Sequence, residues 1–292
     1  MLVTWQYRIR HSLMETFDPR ARWIFSLIFL VSISLFWDVR FLAGFFVLAF
    51  AWYGSARVSF RDTRRAWILI AFILFMMIFI GTIITGGGAA GIIPENTHPV
   101  VTWNWKVPLT GWPVVFRLTY ERLWFALAQV LRVLSISAVF VIIPYSMDPR
   151  LYGFTFKGLG FPDRVAYSMD LAFRYVPTLA RDFGVTLDAQ RARGYEIERV
   201  EGGIIAQISK VAPLIVPVTM NSIVGGEDVT NAMDLRCFGI KPRTWLEKTD
   251  FSRRDLYLLI FTVVMLIFSI VFSTVFHFGK FWMPAWLIPG FV

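Results

Sequence analysis

The chain has 292 residues, of which 57% are hydrophobic, 17% aromatic and only 17% charged, with a formal net charge of +9. A soluble domain carries roughly 25% charged residues to cover its surface, so this composition, with a mean hydropathy of +0.60, excludes an ordinary soluble globular domain and points to a membrane protein. The single cysteine, Cys237, excludes an intrachain disulfide and cysteine-based metal sites, and His11, His98 and His277 lie too far apart for metal-ligand spacing.

Taken in chain order, five apolar runs approach the roughly 20 residues that a spanning helix needs. They are 22–37, 41–55, 66–85, 121–145 and 256–278. No small-residue cleavage site follows the first run, so it reads as a retained span rather than a signal peptide. Arginines accumulate before it (Arg8, Arg10, Arg20, Arg22) and after the second run (Arg57, Arg61, Arg64, Arg65). Between the first two runs there is only Arg40, and the 86–120 loop has only Lys106 and Arg117. The positive-inside rule then places the N-terminus and the 57–65 connection in the cytoplasm, and counting five spans puts the 146–255 section inside and the C-terminus outside. On this basis the net positive charge marks cytoplasmic loops rather than a nucleic-acid surface. Arg132 falls deep in the fourth run and must meet a protein partner or a wet cavity.

The 86–120 loop is rich in Gly, Pro and Trp. Trp103, Trp105 and Trp112 suit an outer membrane interface, with a substrate lid as the alternative. The expected organisation is therefore three segments. Residues 1–145 hold an N-terminal stretch and four membrane helices, 146–255 a cytoplasmic helical section, and 256–292 a last membrane helix.

The cytoplasmic section carries the clearest pattern. From Asp163, Val165, Met169, Ala172, Val176, Leu179, Phe183 and Leu187 recur every three or four residues, which predicts a long amphipathic helix. Pro162 stands at its start, Pro177 should bend it, and Gly194 can close it. A second helix begins near Gly203, passes Pro213 and Pro217 and ends around Arg236 to Gly239. Both end alike, in Ala192-Arg193-Gly194 and Leu235-Arg236-Cys237. One arginine in a last turn is explained by the helix dipole. Two such ends make planar, always-charged plugs for acidic grooves on a partner.

These segments resemble the T component, the transmembrane energy-coupling subunit, of energy-coupling-factor (ECF) transporters. The opening Ser12-Leu13-Met14-Glu15-Thr16-Phe17-Asp18-Pro19-Arg20 is similar to that family's N-terminal motif. The stretch Leu171-Ala172-Phe173-Arg174-Tyr175-Val176-Pro177, running on to Ala192-Arg193-Gly194, is similar to its first coupling helix, and Ala232 to Gly239 to its second. Cys237 replaces the usual glycine, which shifts the expected closure of the second tip to Gly239.

The resemblance implies an all-α integral membrane protein of about five transmembrane helices, with a coupling module of long crossed amphipathic helices. It implies ATPase docking through Ala192, Arg193, Gly194, Leu235, Arg236 and Cys237. Met169, Phe173, Val176, Pro177 and Phe183 would serve helix packing or contact with an S component. The implied partners are two ABC-type ATPases, a small membrane S component and the lipid bilayer, with no nucleic acid. ATP and magnesium would sit on the ATPases, with no cofactor or metal on this chain. The implied process is vitamin or transition-metal-ion uptake across a prokaryotic cytoplasmic membrane. No G-x-x-x-x-G-K-[ST] phosphate loop, G-x-S-x-G elbow or H-E-x-x-H helix occurs, so the chain is expected not to be an enzyme. Two alternatives remain open: a lipid-binding or membrane-remodelling protein built on the basic helix 163–193, and an intramembrane enzyme.

Overall fold

The computed structural model describes residues 12–80, 99–106, 113–195, 204–240, 251–276 and 279–284. The three histidines and Trp112 lie outside them. Among these described residues, eight α-helices stand in chain order: α1 (Pro19–Ser34), α2 (Val39–Ser55), α3 (Phe60–Ile78), α4 (Tyr120–Ser146), α5 (Tyr152–Gly158), α6 (Asp163–Ala192), α7 (Ile204–Leu235) and α8 (Arg253–Thr274). The all-α expectation holds for every described element but two strands. Within the 86–120 loop, β1 (Pro99–Lys106) pairs antiparallel with β2 (Pro113–Thr119), setting Trp103 opposite Phe116 and Trp105 opposite Val114. Both runs are rich in β-branched and aromatic residues bounded by proline, the composition that favours strands.

The described residues divide into two compact units, one within Arg8–Met147 and Asp250–Val292 and the other within Asp148–Thr249.

In the first unit, local chemistry fixes where the helices begin. Asp18 caps α1, accepting from the Arg20 amide, with Pro19 in the first turn. Asp38 caps α2 in the same way and also holds the Arg40 guanidinium at 2.6 Å. Ser252 and Asp255 form a capping box on α8.

Ring pairs set the helix directions. Phe25 meets Trp52, Phe29 meets Phe45, and Phe36 stacks on Phe41, so α1 and α2 run antiparallel. At the foot of α1, the Arg22 guanidinium donates to the Ser146 carbonyl at 2.9 Å, and Arg132 donates to the Phe36 carbonyl at its head, so α4 is also antiparallel to α1. The Tyr145 hydroxyl bonds the Asp62 carbonyl, which sets the start of α3 beside the end of α4. Asp18 bonds Asp255 at one end, and the Leu35 carbonyl accepts from Ser273 at the other, so α8 is parallel to α1. The five helices α1, α2, α3, α4 and α8 therefore alternate in direction.

Their core is aromatic and aliphatic, with Phe25, Phe29, Ile33, Phe36, Leu42, Ala138 and Val139 almost wholly buried. Ser26, Ser135, Thr262 and Ser269 are fully buried, and each returns its hydroxyl to the carbonyl four residues back, at 2.6–2.9 Å. Small side chains that satisfy themselves allow close helix contact without an orphaned polar group, as apolar surroundings require. Arg132 is accommodated by the Phe36 carbonyl and by the face of Trp37, 4.2 Å from its guanidinium carbon, rather than by an acid.

The outer surfaces are also apolar. Phe72 of α3 is 60% exposed and Val264 of α8 is 57% exposed, with many similar neighbours. Such continuous apolar faces are foreign to a soluble surface. Among the described residues, α4 and α8 are long and apolar enough to cross a membrane, while α2 is apolar but 17 residues long. Residues 81–85 and 277–278 of the expected third and fifth spans lie outside the description.

Candidate functional site

The second unit is built on α6 and α7, with α5 packed against the first half of α6. Gly153 makes that packing possible: a Cβ there would stand 2.5 Å from the Asp170 Cβ and 2.9 Å from the Ala166 carbonyl. Beside this contact Tyr152 stacks on Phe173, with centroids 4.7 Å apart, and Arg174 reaches back to Asp170 at 2.8 Å. The packed face of α6 is thus Ala166, Asp170 and Phe173. The face drawn from the sequence through Val165, Met169, Ala172 and Val176 is mostly exposed, as is Pro177, and Phe183 is half-buried. Val165 belongs to the apolar period, but the glycine that permits close approach lies on the other side of the helix.

The ends of α6 and α7 are built alike. Arg193 is the C-cap of α6, directly after the last helical residue Ala192, and Gly194 follows at φ +83°. The Gly194 amide donates to the Arg191 carbonyl at 2.9 Å and the Tyr195 amide to the Gln190 carbonyl at 3.0 Å. At α7, Cys237 takes the glycine's place at φ +54°, donating to the Asp234 carbonyl at 2.9 Å, while Phe238 donates to the Met233 carbonyl at 3.0 Å. This crossed pair of bonds is the Schellman closure. The expectation that α7 closes later, at Gly239, is therefore corrected: the closure is at Cys237, and Gly239 makes a further left-handed step at φ +86°. Two good hydrogen bonds hold the cysteine in a conformation that disfavours a Cβ.

Ala192, Arg193, Gly194, Leu235, Arg236 and Cys237 are all exposed, Leu235 at 87%. Both arginines stand exposed at a helix C-terminus, so each tip combines a cation with the negative end of a dipole. Aromatic residues follow both tips. Phe238 packs on Tyr167 near the start of α6, with centroids 4.6 Å apart, and Gln190 near its end bonds the Pro213 carbonyl of α7. The two helices therefore run antiparallel, with the arginine tips at opposite ends of the pair. At 1.5 Å per residue, that separation is on the order of 30–40 Å. Sequence reasoning assigns Tyr195, Phe238 and Tyr167 no distinct role; an aromatic two places after each arginine was the available signal for the first two.

Asp18, Pro19 and Arg20 belong to the first unit. The Asp18 amide donates to Asp255 Oδ1 at 2.7 Å, while Asp255 Oδ2 accepts from the Ser252 amide at 2.8 Å. One carboxylate thus ties together the starts of α1 and α8. Arg20 lies 3.6 Å from Asp18 and over the Phe251 ring. Asp255 was also missed, although Ser252-x-x-Asp255 carries the capping-box spacing. Among the described residues, no three His, Cys, Asp or Glu side chains converge as metal ligands would.

The family model described as cobalt transport protein, CbiQ, matches residues 12–245. The energy-coupling factor transporter transmembrane protein EcfT of Ruminiclostridium cellulolyticum is 23% identical over 286 residues, covering 93% of this chain and 97% of that protein. The proteins of the same description from Brevibacillus brevis and Clostridium kluyveri are 26% and 25% identical, over 90% and 91% of this chain and 94% of each protein. Apolar bundle, arginine-tipped helices and these similarities together define a helical membrane-transport subunit of the ECF type. The chain belongs to the CbiQ family of cobalt transport proteins.

Proposed function

We propose that this chain is the energy-coupling subunit of an ECF-type ABC importer, with Arg193 and Arg236 each seated in a groove of one of two partner ATPases. The observation that carries this reading is the pair of identically closed, exposed arginine tips at opposite ends of two antiparallel helices. A lone capping arginine needs only the dipole. A matched pair set on the order of 30–40 Å apart suits two copies of one partner. The antiparallel contact gives a mechanical rationale: movement of the ATPases on ATP binding would shift α6 against α7.

ATP and magnesium belong to the ATPases in this reading, and the present chain catalyses nothing. A small membrane S component would capture the vitamin or transition-metal ion. The open face of Met169 and Val176, with Pro177 beside it, offers a surface for that component, whereas Phe173 serves the internal contact with Tyr152. The alternating directions of α1, α2, α3, α4 and α8 support five crossings of the prokaryotic cytoplasmic membrane, with the N-terminus inside. The test is the double variant R193E/R236E in membranes containing the whole complex. Loss of both ATPases and of uptake, with the chain still inserted, is expected; retained ATPases and retained uptake refute the proposal.

A further inference from the structure

We infer that the start of α3 is a binding site for the headgroup of an anionic phospholipid, with the acyl chains lying along the same helix face. Arg57, Arg61, Arg64 and Arg65 are all exposed, and among the described residues none of them forms an ion pair. Against the single carboxylate of Asp62, these four arginines leave an excess of three positive charges within nine residues, so the patch gains from an anionic occupant. Arg57 is fixed in the closing turn of α2 at φ +49°, its amide bonded to the Gly54 carbonyl at 3.2 Å. The cluster is therefore anchored at both ends, in a turn and in a helix.

Helix geometry distinguishes a lipid from an acidic protein. Residues three or four apart share one helix face, so Arg61, Arg64 and Arg65 lie in line with Ile68 and Phe72. These last two are 57% and 60% exposed. One continuous stripe thus begins with guanidinium groups and continues with uncovered aliphatic and aromatic side chains. A phospholipid has the same order of chemistry along its length, phosphate first and hydrocarbon after. A soluble acidic partner would match the arginines alone, whereas an anionic lipid in the bilayer that α3 is proposed to cross meets both parts of the stripe.

The probe is phosphatidylglycerol. The full chain in nanodiscs of phosphatidylcholine with graded phosphatidylglycerol is delipidated stepwise, and retained lipids are counted by native mass spectrometry. The variant R61Q/R64Q/R65Q should bind phosphatidylglycerol at least about tenfold more weakly, since each nearby arginine contributes roughly fivefold to anionic-lipid binding. R253Q/R254Q, a change at exposed arginines starting α8, should leave retention near the native level. All the substituted side chains are exposed, and unchanged melting in detergent verifies folding. Unchanged retention in the triple variant overturns the site. So does equal loss in both variants, which describes a diffuse basic belt, or displacement by inorganic phosphate alone, which describes a free-anion site. Unchanged lipid together with lost ATPases overturns it in favour of an acidic protein surface. Because the readout is lipid, it stands apart from the fate of the two arginine tips.

Discussion

Cys237 and Gly194 hold the same position in two helix ends, yet only glycine adopts a positive φ without steric cost. Replacing Cys237 with glycine should relieve the crowding, partly offset by the greater freedom of the unfolded chain, for a net gain of about 0.5 kcal/mol. Hydrogen exchange at the Phe238 amide should slow roughly twofold, and faster exchange would contradict the closure described. Asp255 is a sharper case, because its two oxygens accept from the amides of Asp18 and Ser252. Alanine there leaves two donors without their acceptor and should destabilise the first unit by about 2–4 kcal/mol. Asparagine keeps one acceptor oxygen and should lose roughly half of that. Thermal unfolding in detergent measures both, and an unperturbed alanine variant would show that the carboxylate is dispensable.

At the scale of elements, Gly153 sets how closely α5 approaches α6. Gly153→Ala forces a methyl group into contact with Asp170 and the Ala166 backbone, and overpacking of this kind costs about 1–3 kcal/mol. Earlier proteolysis between α5 and α6 is expected, and an unchanged digestion pattern would place the contact elsewhere. The helices were legible in the sequence because hydropathy runs and a 3.6-residue period report burial directly: α2 and α4 fall within two residues of the expected spans, and α6 begins at Asp163 as the period predicts. The hairpin of β1 and β2 was not read, because its loop was judged by its glycines and tryptophans rather than by the β-branched runs on either side. The packed face of α6 was misjudged for a related reason. Periodicity shows where apolar residues fall, but a small residue on a different element decides which side becomes a contact.

At the scale of the whole molecule, the chain comprises an apolar bundle of alternating helices and a helical pair with two charged ends. The arginines were visible in the sequence, as was the likeness between their motifs. Their common closure and their placement at opposite ends of an antiparallel pair were not, since both depend on tertiary contacts such as Tyr167 with Phe238. That placement leads to a stoichiometric expectation, because each tip should hold its own motor. The most direct measurement is native mass spectrometry of the assembled complex carrying R193E alone, R236E alone, or both. One ATPase should remain with either single change and none with the double change. Two ATPases on the double variant would contradict the central claim.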